Sequence, residues 1–133
     1  MDYSTLSDLE IAILVGKYFP DDVIVSEDYA YKLIPCAASA YIGIDYEEVD
    51  FDPCNNVSDA WKVIVENRIF IGPIFVSDWC ATSECDSYRS IDKNPLRAAM
   101  IVFLMLKGSE NVSERMLNNL DNTAKHEDFN TYE

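Results

Sequence analysis

Glycine is scarce in this chain, with four residues in 133. Neither a Gly-x-x-x-x-Gly-Lys loop nor a Gly-x-Gly-x-x-Gly turn is present, which excludes phosphate-cradling loops of those kinds. Histidine is represented by His126 alone, in a polar tail, so no serine or cysteine nucleophile has a histidine base to activate it. Positive charge is also in short supply: 10 Lys and Arg stand against 24 Asp and Glu, a net charge of −14. Such a chain repels nucleic acid and anionic membrane, because binding a phosphate backbone relies on Lys and Arg displacing counterions. Direct nucleic-acid binding and membrane attachment are therefore not expected. The longest apolar run, the nine residues Ala98 to Leu106, rises only about 14 Å at about 1.5 Å per residue, short of a bilayer core of about 30 Å.

The acidity is uneven. Residues 1–52 hold 12 acidic and 2 basic groups, residues 53–107 hold 6 of each, and residues 108–133 hold 6 acidic and 2 basic. The natural partners of the first third are basic surfaces or cations, although acidic surface also serves simply to keep a protein soluble. Cysteines stand at 36, 54, 80 and 85. The chain opens on Met1-Asp2 without an apolar leader, so free thiols in a reducing cytoplasm are expected. Cys80 and Cys85 are spaced more loosely than a zinc knuckle and have no nearby histidine, so no metal or other cofactor is expected.

Three helices and a set of strands are legible. Ser7-Asp8-Leu9-Glu10 is a capping box opening a helix that Pro20 ends, with Leu9 and Ile13 leading a buried stripe that extends to Ile11, Leu14 and Tyr18. Two β-branched and aromatic runs follow, Val23 to Leu33 and Ala40 to Phe51, separated by Pro35; alternation in the second suggests an antiparallel strand with one wet face. Asn56 caps a helix over 57–67, whose apolar face is Ala60, Trp61, Ile64 and Val65. Arg68 to Ile71 is a short strand broken by Gly72-Pro73, extended chain continues through Ile74 to Ala81, and 82–93 is turn-rich. Asn94 caps and Pro95 opens the central helix, apolar on every side from Ala98 to Leu106, and Gly108 supplies a left-handed stop. Beyond it, Val112 to Leu120 has the pattern of a short helix, and 121–133 that of a mobile tail. The expected fold is a single α+β domain over residues 1–107, a small antiparallel sheet packed against about three helices. The 94–107 helix is fully buried, and 108–133 form an acidic extension, partly helical or disordered.

Two groups of residues are candidates for function. Asp45, Glu47, Glu48, Asp50 and Asp52 form a dense acidic row. No glycine-turned calcium loop surrounds it; it is a solvated edge that blocks wrong strand pairing, or a row of carboxylates spaced by about 6.6 Å along a strand in imitation of phosphates. Trp61, Glu66, Asn67 and Arg68, with Arg97, are polar and aromatic enough to line a pocket near the second helix; the favoured reading of Glu66, Asn67 and Arg68 is a helix C-terminus and of Trp61 core.

Three segments, Asp2 to Ile11, Phe51-Asp52-Pro53-Cys54-Asn55-Asn56-Val57-Ser58-Asp59-Ala60-Trp61 running on to Glu66-Asn67-Arg68-Ile69, and Asn94 to Leu106, resemble the NinX family of tailed-phage and prophage proteins. Val57 stands where proline is expected in relatives. The resemblance implies an accessory product of a temperate phage acting in the bacterial cytoplasm, and carries over no agreed activity. The expected function is non-enzymatic: binding a host protein with a basic surface through the acidic row, as an inhibitor that mimics nucleic-acid charge. The alternatives are a small-ligand-sequestering protein using the pocket near the second helix, and a small carboxylate-dependent enzyme.

Overall fold

The computed structural model describes the backbone of residues 2–36 and 45–126, with side chains described through residue 35 and over residues 46–110. A 3-10 turn, Tyr3–Thr5, precedes helix α1, Asp8–Gly16. The strands β1 (Ile24–Val25), β2 (Ala30–Cys36) and β3 (Asp45–Asp50) form one antiparallel sheet in that order. Helix α2 spans Val57–Glu66, and β4 (Phe70–Ile74), β5 (Asp78–Thr82) and β6 (Arg89–Asp92) form a second antiparallel sheet. Helix α3 spans Pro95–His126. The class is α+β, with two three-stranded sheets where the sequence pattern had suggested one.

The helix starts follow their caps. Ser7 Oγ accepts from Glu10 N (3.1 Å) while Glu10 Oε1 accepts from Ser7 N (2.8 Å), so the capping box is complete. Asn56 and Asn94 accept from the first-turn N–H groups of α2 and α3. α2 ends in a Schellman motif: Ile69 N donates to Ile64 O, Arg68 N donates to Val65 O, and Arg68 takes the left-handed position at φ 52°.

α3 is the centre of the core. Ala98 through Leu104 are buried without interruption. Its buried surface meets α1, α2 and all three strands of the second sheet, while α1 covers β1 and β2. Phe103 stacks on Phe19 and takes the edge of Tyr18, with ring centroids 5.9 and 5.5 Å away.

Several expectations are corrected. Gly108 does not stop α3, which continues to His126; its position is one where an added Cβ would come within 3.1 Å of the Tyr3 hydroxyl, so the small residue makes room for that ring. Only Ala98 to Leu104 are enclosed, since Asn94 to Arg97 and Met105 to Ser109 are half-buried. Leu9 is half-exposed and Ile11, Ala12 and Val15 form the buried stripe of α1. The buried face of α2 is Asp59, Ala60, Val63 and Ile64, leaving Trp61 and Val65 exposed. The face is turned because Asp59 finds an ionic partner inside, Lys32 of β2. Pro35 lies within β2 rather than after it, at a point where β1 has ended and β3 is the one remaining neighbour, so its missing N–H interrupts no second ladder. Gly72-Pro73 continues β4 opposite Trp79 and Cys80, and β6 forms inside the stretch read as turns. The expected strand residues Ala40 to Ile44, and the tail 127–133, lie outside the described residues.

Candidate functional site

The Arg97 side chain makes four hydrogen bonds and is only 14% exposed. Placed in the first turn of α3 by Asn94 and Pro95, it donates from Nη1 to Asp8 Oδ1 (2.7 Å) and from Nε to Asp92 Oδ2 (3.1 Å). Its Nη2 donates to the carbonyls of Ser4 (3.0 Å) and Leu6 (2.6 Å). Asn55 Nδ2 reaches both Asp8 and Asp52, and Asn94 Nδ2 donates to the Cys54 carbonyl (2.6 Å). One network thus ties the entry to α1, the loop before α2 and the start of α3. Partial burial acts to raise the Asp8 carboxyl, but hydrogen bonds from Asn55 and Arg97 outweigh it, and its pKa lies below the ordinary value. Burial pushes the neighbouring Cys54 thiol up to about 12, which makes it inert as a nucleophile at neutral pH. This arrangement holds segments together; its donors and acceptors are already matched to one another.

The acidic row divides. Among the described residues β3 is an edge strand, and Glu47, Glu48 and Asp50 are exposed on it. Among the described residues none of the three takes part in an ion pair, whereas Asp8, Asp22, Asp59, Glu84 and Asp92 all do. Strand alternation turns Glu48 and Asp50 to one face and Glu47 to the other. Asp52 lies past the strand, where its carboxylate holds Asn55 Nδ2 at 3.0 Å and so belongs to the Arg97 network. The backbone of Asp45 pairs with Cys36; its side chain lies outside the described residues.

The proposed pocket residues are brought together in part: Glu66, Asn67 and Arg68 line one open groove of about 440 Å³ with Glu84 and Cys85, which neither Trp61 nor Arg97 enters. Trp61 and Arg68 share an open groove of about 440 Å³ with Phe70 and Ile71. Glu66 and Asn67 open toward α3 beside Phe103 and Lys107. Arg97, ten residues before Lys107 on α3, is about 15 Å of helix away from that end. Asn67 Nδ2 caps the carbonyl of Val63, and Arg68 pairs with Glu84 at 2.9 Å, so both have structural partners.

A cavity of about 380 Å³ lies elsewhere, between β2, α2 and the α1–β1 turn, with apolar walls at Phe19, Val23 and Phe51 and the ammonium groups of Lys32 and Lys62 beside it. Lys32 pairs with the fully buried Asp59 carboxylate, which also accepts from Asp52 N, and Lys62 pairs with Asp22 at 2.9 Å. The sequence signal was present, since Lys32 is one of only two basic residues among the first 52. Among the described residues no group of three or more His, Cys, Asp and Glu side chains is arranged to hold a metal ion. Among the described residues no helix is long and apolar enough to cross a membrane.

The three most patterned segments of this small α+β domain meet in a single polar network around Arg97, and among the described residues Glu47, Glu48 and Asp50 on β3 take part in no ion pair. The family model described as Bacteriophage P22, NinX matches residues 2–107, and the chain belongs to the NinX family. The search of curated proteins and the search of solved structures each returned no match.

Proposed function

We propose that this phage accessory protein is non-enzymatic and acts in the host cytoplasm by binding a basic surface of a host protein through the edge strand β3, denying that surface to nucleic acid. The observation that supports this reading is the state of Glu47, Glu48 and Asp50, exposed on a strand that among the described residues pairs on one side only and outside every ion pair among those residues. Exposed carboxylates without partners raise the local negative potential, which favours fast encounter with a positive patch and weakens as salt screens it. The test is capture from host lysate at low and moderate salt, with duplex DNA as competitor. A basic protein displaced by both salt and DNA supports the proposal; retention of a partner indifferent to both contradicts it.

A second reading rests on the cavity beside Lys32 and Lys62, which has the apolar walls and few polar groups of a small-molecule site. Release of a stoichiometric small molecule on denaturing the purified protein favours that reading over the first.

A further inference from the structure

The first sheet has an outer face with an unusual composition. Its inner face carries Ala30, which is buried, and Lys32, which reaches Asp59 on α2. Residues directly opposite one another in an antiparallel pair share a face, so Tyr31 stands beside Asp50 and Leu33 beside Glu48, with Tyr46 further along the same side of β3. Tyr29, just before β2, lies against Tyr31 with ring centroids 5.5 Å apart. Tyr29 is 52% and Tyr46 60% exposed, and Leu33 is 46% exposed. A solvated sheet face normally carries polar side chains; among the described residues this one carries three tyrosines, Leu33 and Pro35, with carboxylates between them and no basic residue.

We propose that this tyrosine-and-carboxylate face of the first sheet is the docking surface for arginine side chains of a basic protein partner. The inference rests on the reading of the acidic edge given above and names the chemistry that edge selects. Directly opposed side chains have Cβ atoms about 4.5–5.5 Å apart. A guanidinium that takes the Asp50 carboxylate with its N–H fork therefore lies within reach of the Tyr31 ring face, and Leu33 beside Glu48 offers apolar contact to an arginine stem. Lysine satisfies the carboxylates as a point charge but cannot lay a planar fork on the rings. Tyrosine and arginine are also the residues in which binding energy concentrates at protein interfaces. Nucleic-acid bases also stack on tyrosine, but Glu48 and Asp50 would face the phosphates that accompany them.

The test uses the full chain and two probes of equal length and charge, an alternating arginine–glycine peptide and its lysine–glycine counterpart, titrated at low salt by calorimetry. The arginine peptide is expected to bind about three- to fivefold more tightly, the worth of one exposed cation–π contact. Tyr31→Leu combined with Tyr46→Leu keeps the apolar bulk and removes the ring faces. It is expected to abolish the preference while leaving lysine-peptide affinity unchanged, with an unaltered thermal melt showing that the fold is intact. Glu48→Gln with Asp50→Asn weakens both peptides. Equal binding of the two peptides, or an arginine preference that survives the double leucine variant, overturns this inference and leaves the acidic-surface reading standing. No binding of either peptide at low salt overturns both.

Discussion

Replacing Arg97 by alanine removes four hydrogen bonds at once and leaves two carboxylates and two carbonyls without their donor. Breaking a fully buried ion pair costs about 3–5 kcal/mol. Here solvent reaches the partners, with Asp8 42% and Asp92 23% exposed, so the expected loss is smaller, about 2–3 kcal/mol. For a chain of 133 residues, each kcal/mol moves the midpoint by about 3–5 °C, and Arg97→Ala should melt about 6–15 °C below the wild type. Arg97→Lys keeps the charge and loses the fork, and should fall roughly halfway between. The pH dependence follows from Asp8, whose folded pKa is depressed. Such a group stabilises the fold above its unfolded pKa of about 3.9 and loses that contribution as pH falls through the lower folded value. The gap between wild type and Arg97→Ala should therefore be constant near neutrality and narrow below about pH 4. Thermal and urea melts followed by circular dichroism read both quantities. A variant within about 0.5 kcal/mol of wild type, the scatter of ordinary surface substitutions, would refute the assignment of Arg97 as the tie between the three segments.

Gly16→Ala should destabilise despite the better helix propensity, because the new Cβ would lie 2.9 Å from Val23 Cγ1 and Val25 Cγ2; about 1–2 kcal/mol in a urea titration is expected, and a gain would contradict the packing. Phe75 holds φ 57° in the β4–β5 turn with its ring 79% exposed, so Phe75→Gly should raise stability by about 0.5–1 kcal/mol in the same assay. The exposed Cys85 thiol, lowered to about 7 chiefly by its hydrogen bond with Ser83, should react with a disulfide reagent at neutral pH, and buried Cys54 only on unfolding. Labelling followed by peptide mapping distinguishes them. Because Cys54 has a raised folded pKa, stability should also decline as pH rises past about 8.5, where the unfolded thiol ionises.

Helix starts were the most legible part of the fold, because a cap is a local contract between neighbouring residues: Ser7 with Glu10, Asn56 with the first turn of α2, Asn94 with Leu96 and Arg97. The enclosed centre of α3 was legible for the same kind of reason, since a run with no polar side must be surrounded. What failed depended on distant partners. A glycine at 108 reads as a stop, but here it accommodates the Tyr3 ring from the far end of the chain. Trp61 looked like core, but Lys32 pairs with Asp59 and the buried face of α2 shifts by one residue, keeping Ala60 and Ile64 and leaving Trp61 outside. β6 was hidden because Arg89 to Asp92 carries mixed charge and pairs with β5 on one side only. At the site, the acidic row was visible as composition, and the structure divides it: Asp52 is held by Asn55, while Glu47, Glu48 and Asp50 are exposed and in no ion pair among the described residues. Arg97 was noticed as a charge, and its role as a node follows only from Asp8 and Asp92 meeting it in space.

The most direct test of the proposed function is the affinity of the captured host protein for wild type and for a variant carrying Glu47→Gln, Glu48→Gln and Asp50→Asn, measured across a salt series. The acidic-edge account predicts that wild-type affinity falls steeply with salt and that the variant binds weakly at every salt concentration, with an unchanged melting curve. Equal affinity of the two proteins, independent of salt, would contradict it.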